Sequence, residues 1–135
     1  MKSSEKKEAG IEQHPLEFFL PDGAVVLMLG SFPPKRERWS MEFFYPNLQN
    51  DMWRIFGLLF FGSREHFLKP GGKQFDRERI VRFLMEKGIA VGDTARSVRR
   101  LRDNASDQFL EVVERIDLKE VLGRIPQCRA IVTTG

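Results

Sequence analysis

The chain has 135 residues, of which 41% are hydrophobic and 30% charged, and its formal net charge is +3. This length suits one domain with a substantial core, and no apolar run approaches the roughly 18 residues of a membrane span. The single cysteine, Cys128, excludes an internal disulfide framework and fits a reducing, cytoplasmic compartment. Because only two histidines accompany it, little material is left for a zinc site. We expect neither a metal nor a cofactor.

The N-terminal part of the chain divides into a tail and a first strand. Residues 1–14 are predicted to be a flexible tail, since the opening residues are mostly polar and charged and lack the apolar segment of a signal peptide. Residues 15–135 are predicted to form one domain. The apolar run 24–29 is typical of a parallel strand that is buried on both faces. Gly30 ends it, and the two prolines that follow prevent both strand continuation and an immediate helix.

Three helices are predicted from apolar periodicity and capping residues. The first covers about 50–60, the second covers 77–87 with Asp76 as its N-cap, and the third begins in a capping box at Asp117. Their inward faces are predicted to contain three sets of apolar residues: Met52, Ile55, Phe56 and Leu59; Ile80, Phe83 and Leu84; and Leu118, Val121 and Leu122.

Two further strands are predicted, over 89–91 and 129–133, whereas residues 95–116 fit a loop, a strand or a helix. Strands that alternate with helices indicate a parallel sheet with right-handed crossovers. We therefore expect an α/β fold: a three-layer sandwich with a short parallel central sheet and helices on both faces. This architecture calls for one more helix and strand after Gly135, so we expect these last two elements to be lacking.

The loop after the first strand is the candidate binding site, because open α/β sheets bind ligands at the carboxyl ends of their strands. Its sequence, Gly30-Ser31-Phe32-Pro33-Pro34, lacks the repeated glycines of a dinucleotide-binding loop and the Gly-Lys-Ser/Thr of a P-loop. An aromatic ring and prolines suit the wall of a pocket for a planar group. The alternative on local chemistry is an ordinary strand exit with Phe32 in the core.

A segment of aromatic and amide residues follows between positions 43 and 53. Amide side chains can read a base edge, although Asn50 and Asp51 also suit helix N-caps. With the Gly-Ser-Phe-Pro motif, this segment resembles the uracil-DNA glycosylase superfamily, in particular its branch of uracil- and hypoxanthine-DNA glycosylase-like proteins. That branch opens a helix with a Tyr-x-x-Pro-x-Asn-x-Phe-Trp-like segment, to which Tyr45, Asn50, Met52 and Trp53 correspond here. The resemblance covers about residues 15–135, with weaker matches after position 88.

The resemblance implies a DNA-repair enzyme that hydrolyses the N-glycosidic bond of a deaminated base, uracil or hypoxanthine, flipped out of DNA. By the same resemblance, Asn50 positions the attacking water and Phe32 stacks on the base. The other residues of the implied base pocket are Gly30, Ser31, Pro33 and Tyr45. Four cations are candidates for phosphate contacts, although basic clusters are often plain solvated surface: Lys35, Arg36, Arg99 and Arg100.

Three departures from the family pattern are visible. Phe32 stands where other branches have an amide or an acid, so their catalytic residue does not carry over. Pro46 and Asn47 replace a Gly-His pair, and the second family motif, a His- or Ser-containing loop, is absent. Two alternatives therefore stay open: a non-catalytic nucleic-acid-binding module on the same fold, or a small α/β domain that binds a nucleotide or a protein.

Overall fold

The computed structural model describes residues 10–30, 32–100 and 110–134. The chain forms two compact units, where the sequence predicts one domain. We call the first, Met1–Phe32 with Gly88–Gly135, the sheet unit, and the second, Pro33–Lys87, the aromatic unit. In chain order the regular elements are β1 (Ile11–Gln13), β2 (Val26–Leu29), α1 (Met52–Phe61), α2 (Arg77–Lys87), β3 (Ile89–Gly92), β4 (Ala95–Arg100), β5 (Leu110–Arg115), α3 (Leu118–Arg124) and β6 (Ala130–Thr133).

The sheet unit contains the expected parallel sheet, in the order β3-β2-β6. Both neighbours run parallel to β2, with Leu27 opposite Ala90 on one side and Ile131 on the other. Leu27 is fully buried, as its place in the central strand requires. The edge strand β6 is exposed along its length. The predicted α/β class with a parallel sheet is thus confirmed.

Helix α3 packs against this sheet. The Asp117 carboxylate accepts a hydrogen bond from the Glu120 N–H at 3.2 Å, which confirms Asp117 as the predicted N-cap of the helix. Val121 is buried and Leu122 packs beside it, but Leu118 is 37% exposed, so its predicted inward orientation is wrong. The first position of a short helix lies at the margin of the contact, and Leu118 therefore contributes little to the core.

A second, antiparallel sheet in the order β1-β4-β5 was not indicated by the sequence. The ambiguous region 95–116 supplies β4 and β5, while residues 101–109 lie outside the described part of the chain. Strand β1 pairs with β4, with Glu12 opposite Val98. The predicted tail over 1–14 therefore extends too far, because Ile11–Gln13 is a strand of this sheet.

The aromatic unit is organised around Trp53, which is fully buried. Its indole N–H donates to the Phe44 carbonyl at 2.9 Å, and the rings of Tyr45 and Phe67 pack edge-on against it. As a result α1 buries Trp53 and Gly57. The predicted buried face of this helix is therefore wrong, because Ile55 is 44% and Leu59 71% exposed.

Helix α2 matches its prediction in both bounds and orientation. Asp76 accepts a hydrogen bond from the Arg79 N–H at 3.2 Å, as an N-cap does. Ile80, Phe83 and Leu84 are buried. Here a polar helix carries one clear apolar stripe, so periodicity alone identifies the buried face.

Candidate functional site

Gly30 lies at the carboxyl end of the central strand β2. The chain runs from β2 to β3 on one side and later reaches β6 on the other side of β2, so a topological switch point occurs at this end of the sheet, where open α/β folds bind ligands. The Gly30 N–H donates to the Gly92 carbonyl at 3.0 Å. With φ at +120° and the Thr134 carbonyl oxygen in the place of a Cβ atom, only glycine fits. Gly30 is therefore buried, with Thr134 packed closely against it.

Phe32 is buried, at 3% exposure, in the sheet unit. The His14 ring meets it edge-on, with the ring centroids 4.9 Å apart and an interplanar angle of 76°. The Arg100 guanidinium lies 5.8 Å from the Phe32 centroid. Phe32 therefore contacts an imidazole ring and a guanidinium of its own unit.

His14 and Asp93 form a buried acid–base pair beside Phe32. The His14 Nε2 and Asp93 Oδ2 atoms are 3.2 Å apart, and the side chains are 6% and 3% exposed. The sequence pattern indicates neither as a site residue, since His14 falls in the predicted tail and Asp93 lies within one of the weaker matches after position 88. One signal in the sequence could have indicated Asp93 as a site residue. It directly follows β3, just as Gly30 directly follows β2.

The two arginines predicted to bind phosphates in the sheet unit have acidic partners. Arg100 donates from Nε and Nη2 to the two carboxylate oxygens of Glu12, each at 2.8 Å, and its side chain is 4% exposed. This burial argues against a phosphate contact for Arg100. Arg99 pairs with Glu111 at 2.7 Å, but both side chains are exposed, so solvent and phosphate can compete for this guanidinium.

Asn50 lies in the aromatic unit, two residues before α1. Its Oδ1 accepts a hydrogen bond from the Met52 N–H at 2.8 Å, and its own N–H donates to the Asn47 carbonyl at 3.0 Å. Arg54 donates to the Asn50 carbonyl at 3.2 Å. The side chain is therefore held in one orientation, while the second lone pair on Oδ1 can still accept a hydrogen bond from water.

Tyr45 has a strained backbone. Its φ of +51° is the only positive value at a non-glycine residue in the described ranges, and the ring is 4% exposed. A bulky residue in the left-handed region costs about 1–3 kcal/mol and persists only where its surroundings impose it. The Tyr45 ring contacts Trp53 at a centroid distance of 5.7 Å, which holds this conformation.

The remaining predicted residues differ in burial. Pro33 is buried in the aromatic unit, and Ser31 lies outside the described residues. Lys35 and Arg36 are exposed; Arg36 pairs with the Glu42 carboxylate and lies 4.4 Å over the Trp39 ring. Gly30 and Phe32 thus belong to the sheet unit, whereas Pro33, Lys35, Arg36, Tyr45 and Asn50 belong to the aromatic unit.

Each unit has a cavity of its own. That of the sheet unit, about 250 Å³, is lined by polar and apolar side chains that include His14, Phe18, Arg96 and Arg124. That of the aromatic unit, about 440 Å³, is lined by the Pro70–Gly72 turn among others. Near it, burial and the Arg79 charge lower the pKa of His66.

No protein-family model, curated protein or solved structure matches this chain. In the ranges that the structure describes, no helix is long and apolar enough to cross a membrane. Those ranges also contain no cluster of three or more histidine, cysteine or acidic residues arranged to hold a metal ion. Any function proposed for this chain therefore depends on the residues described above.

Proposed function

We propose that this chain hydrolyses the N-glycosidic bond of a deaminated base, uracil or hypoxanthine, flipped out of DNA. The observation that carries the proposal is the Gly30 turn, which ends the central parallel strand and leads directly into Phe32. An aromatic residue thus follows the carboxyl end of the central strand, where open α/β folds bind ligands. The Gly-Ser-Phe-Pro motif at this position is what resembles the glycosylase branch.

Asn50 is the proposed catalytic residue. In the hydrolysis, a water oxygen forms a bond to C1′, the C1′–N bond breaks, and its electron pair leaves with the base, which gains a proton that the water loses. Little covalent chemistry is required of the protein, so correct placement of the water is the main contribution. Asn50 Oδ1 suits this role because the Met52 N–H orients it while one lone pair is left for the water.

The phosphate contacts are proposed for exposed cations. Lys35 directly precedes a short 3-10 helix in the aromatic unit, and Arg36 is its first residue. Arg99 lies on β4 of the sheet unit. Their ion pairs with Glu42 and Glu111, where present, are exposed and exchange readily. We leave Arg100 out of this set, since Glu12 occupies its buried guanidinium.

The test uses labelled DNA oligonucleotides with one uracil or one hypoxanthine, single- and double-stranded, and measures alkali-sensitive abasic sites. We expect product from both the protein and its Asn47→Ala variant, a control in the same loop. Asn50→Ala is expected to lose about a hundredfold or more in rate, in line with the loss of a single positioned group at other active sites.

Other outcomes separate the alternatives. Salt-dependent DNA binding without any abasic product favours the non-catalytic nucleic-acid-binding module. The absence of both favours a domain that binds a nucleotide or a protein. Product that forms equally fast with Asn50→Ala would show that the catalytic assignment is wrong.

A further inference from the structure

The buried pair of His14 and Asp93 joins the two sheets of the sheet unit. His14 directly follows β1 of the antiparallel sheet, and Asp93 directly follows β3 of the parallel sheet. The two side chains are almost completely buried, with Nε2 and Oδ2 3.2 Å apart. Buried ionic pairs are weak evidence for stability, because apolar residues of similar volume often serve as well or better. Stability alone therefore does not explain why these two polar side chains are buried together.

The polar neighbours of the pair define the orientation of the imidazole ring. The Leu16 N–H donates to Nδ1 at 3.2 Å, and the Leu16 carbonyl oxygen lies at the same distance from this nitrogen. The other ring nitrogen, Nε2, faces Asp93 Oδ2. The His14 backbone N–H donates to the Arg96 carbonyl at 2.8 Å. On the other side, Asp93 Oδ1 accepts from the Thr94 N–H at 2.7 Å. Rotation of the ring would separate Nδ1 from Leu16 and Nε2 from Asp93.

The oriented imidazole ring of His14 packs against the Phe32 ring. An edge-to-face contact at 4.9 Å and 76° is a favoured geometry for two aromatic rings, and it depends on the direction of both. The Arg100 guanidinium, held by Glu12, lies on Phe32 as well. The direction of the Phe32 ring is therefore determined by side chains from outside its own loop.

We propose that His14 and Asp93 are a positioning pair that sets the direction of the Phe32 ring for its contact with a flipped base. This inference depends on the proposed glycosylase function. We assign the pair a positioning role and not a catalytic one, since both side chains are almost completely buried and both ring nitrogens of His14 face protein groups. The pair acts on the base only through Phe32.

The test compares His14→Gln, Asp93→Asn and the double variant in single-turnover excision of uracil. Ile125→Val is the control, because Ile125 is equally buried in the sheet unit but belongs to a different apolar cluster from Phe32. We expect each single variant to be about ten- to a hundredfold slower, as for misplaced groups in other active sites. The double variant should be no slower than either single variant, because His14 and Asp93 act together on the same ring. Losses that multiply in the double variant would overturn the inference.

The direction of Phe32 is also measured without activity, by ¹⁹F NMR of protein labelled with 4-fluorophenylalanine and assigned with Phe32→Leu. Both single variants should shift the Phe32 resonance, and Ile125→Val should not. If His14→Gln does not fold, His14→Phe replaces it, since it keeps a ring and removes both nitrogens. An unchanged resonance would refute the positioning role at any level of activity. A shifted resonance in a protein that excises no base would instead refute the proposed function alone.

Discussion

The two units are stabilised in different ways, and the proposed site residues differ accordingly. The sheet unit depends on strand pairing and a small aliphatic cluster, and its proposed site lies where strands end, at Gly30 and Asp93. The aromatic unit has loops and two helices around Trp53, and its proposed catalytic residue, Asn50, precedes a helix. Backbone geometry dominates in the first unit and aromatic packing in the second. Substitutions that separate these contributions test the comparison.

The largest effect is expected in the aromatic unit, from Trp53→Ala. The variant removes a fully buried ring and leaves the Phe44 carbonyl without its indole donor, so the free energy of unfolding should fall by about 3–5 kcal/mol. Leu59→Ala, on the same helix but 71% exposed, should change it by less than about 1 kcal/mol. Urea titrations followed by circular dichroism measure both. Equal losses would mean that the buried face of α1 is assigned wrongly.

Gly30→Ala should be the most costly glycine substitution in the sheet unit. The new Cβ would overlap the Thr134 carbonyl oxygen, and φ at +120° is unfavourable for alanine, so we expect a loss of about 2–4 kcal/mol. In the aromatic unit, Gly71→Ala also has a positive φ but meets no atom within 4 Å, and should lose only about 1 kcal/mol. Thermal unfolding of the two variants shows whether close approach, rather than φ alone, selects Gly30.

Two arginine–glutamate pairs, one from each unit, differ in burial. Arg100→Ala leaves Glu12 partly buried without its bidentate partner, and should cost about 2 kcal/mol. Arg36→Ala breaks an exposed pair and should cost about 0–1 kcal/mol. If the proposed function holds, it should also weaken DNA binding and reduce the salt dependence of that binding. Chemical denaturation and DNA titrations at several salt concentrations measure these effects. Strong DNA dependence on Arg100 with no change in stability would reverse the assignment.

The smallest effect concerns pH and His66 in the aromatic unit. Burial and Arg79 lower the pKa of His66 below its usual 6.5, so the unfolded chain binds more protons than the folded one between that lowered pKa and 6.5. This contribution to stability is complete above pH 6.5 and is lost as the pH falls through that interval. Urea unfolding at pH 7.5 and 5.5 should show a smaller pH dependence for His66→Gln than for the unsubstituted protein.

Local sequence signals predict much of the fold because they act over a few residues. The apolar run before Gly30 is a central strand, and the caps at Asp76 and Asp117 begin α2 and α3 as expected. The position of Gly30 after this run predicts the end of the strand. Capping residues and apolar patterns lie within a single segment, so local sequence is enough to predict these features.

Local patterns in the sequence therefore predict the order and limits of most elements, the parallel sheet and the end of its central strand at Gly30. The contacts between distant side chains become visible only in the folded chain: His14 with Asp93, Arg100 with Glu12, and the face of α1 that buries Trp53. These contacts join residues that are far apart in the sequence. The pair of His14 and Asp93 requires strand β1 to join β4, and Arg100 reaches Glu12 across 88 positions, so no local pattern predicts either contact.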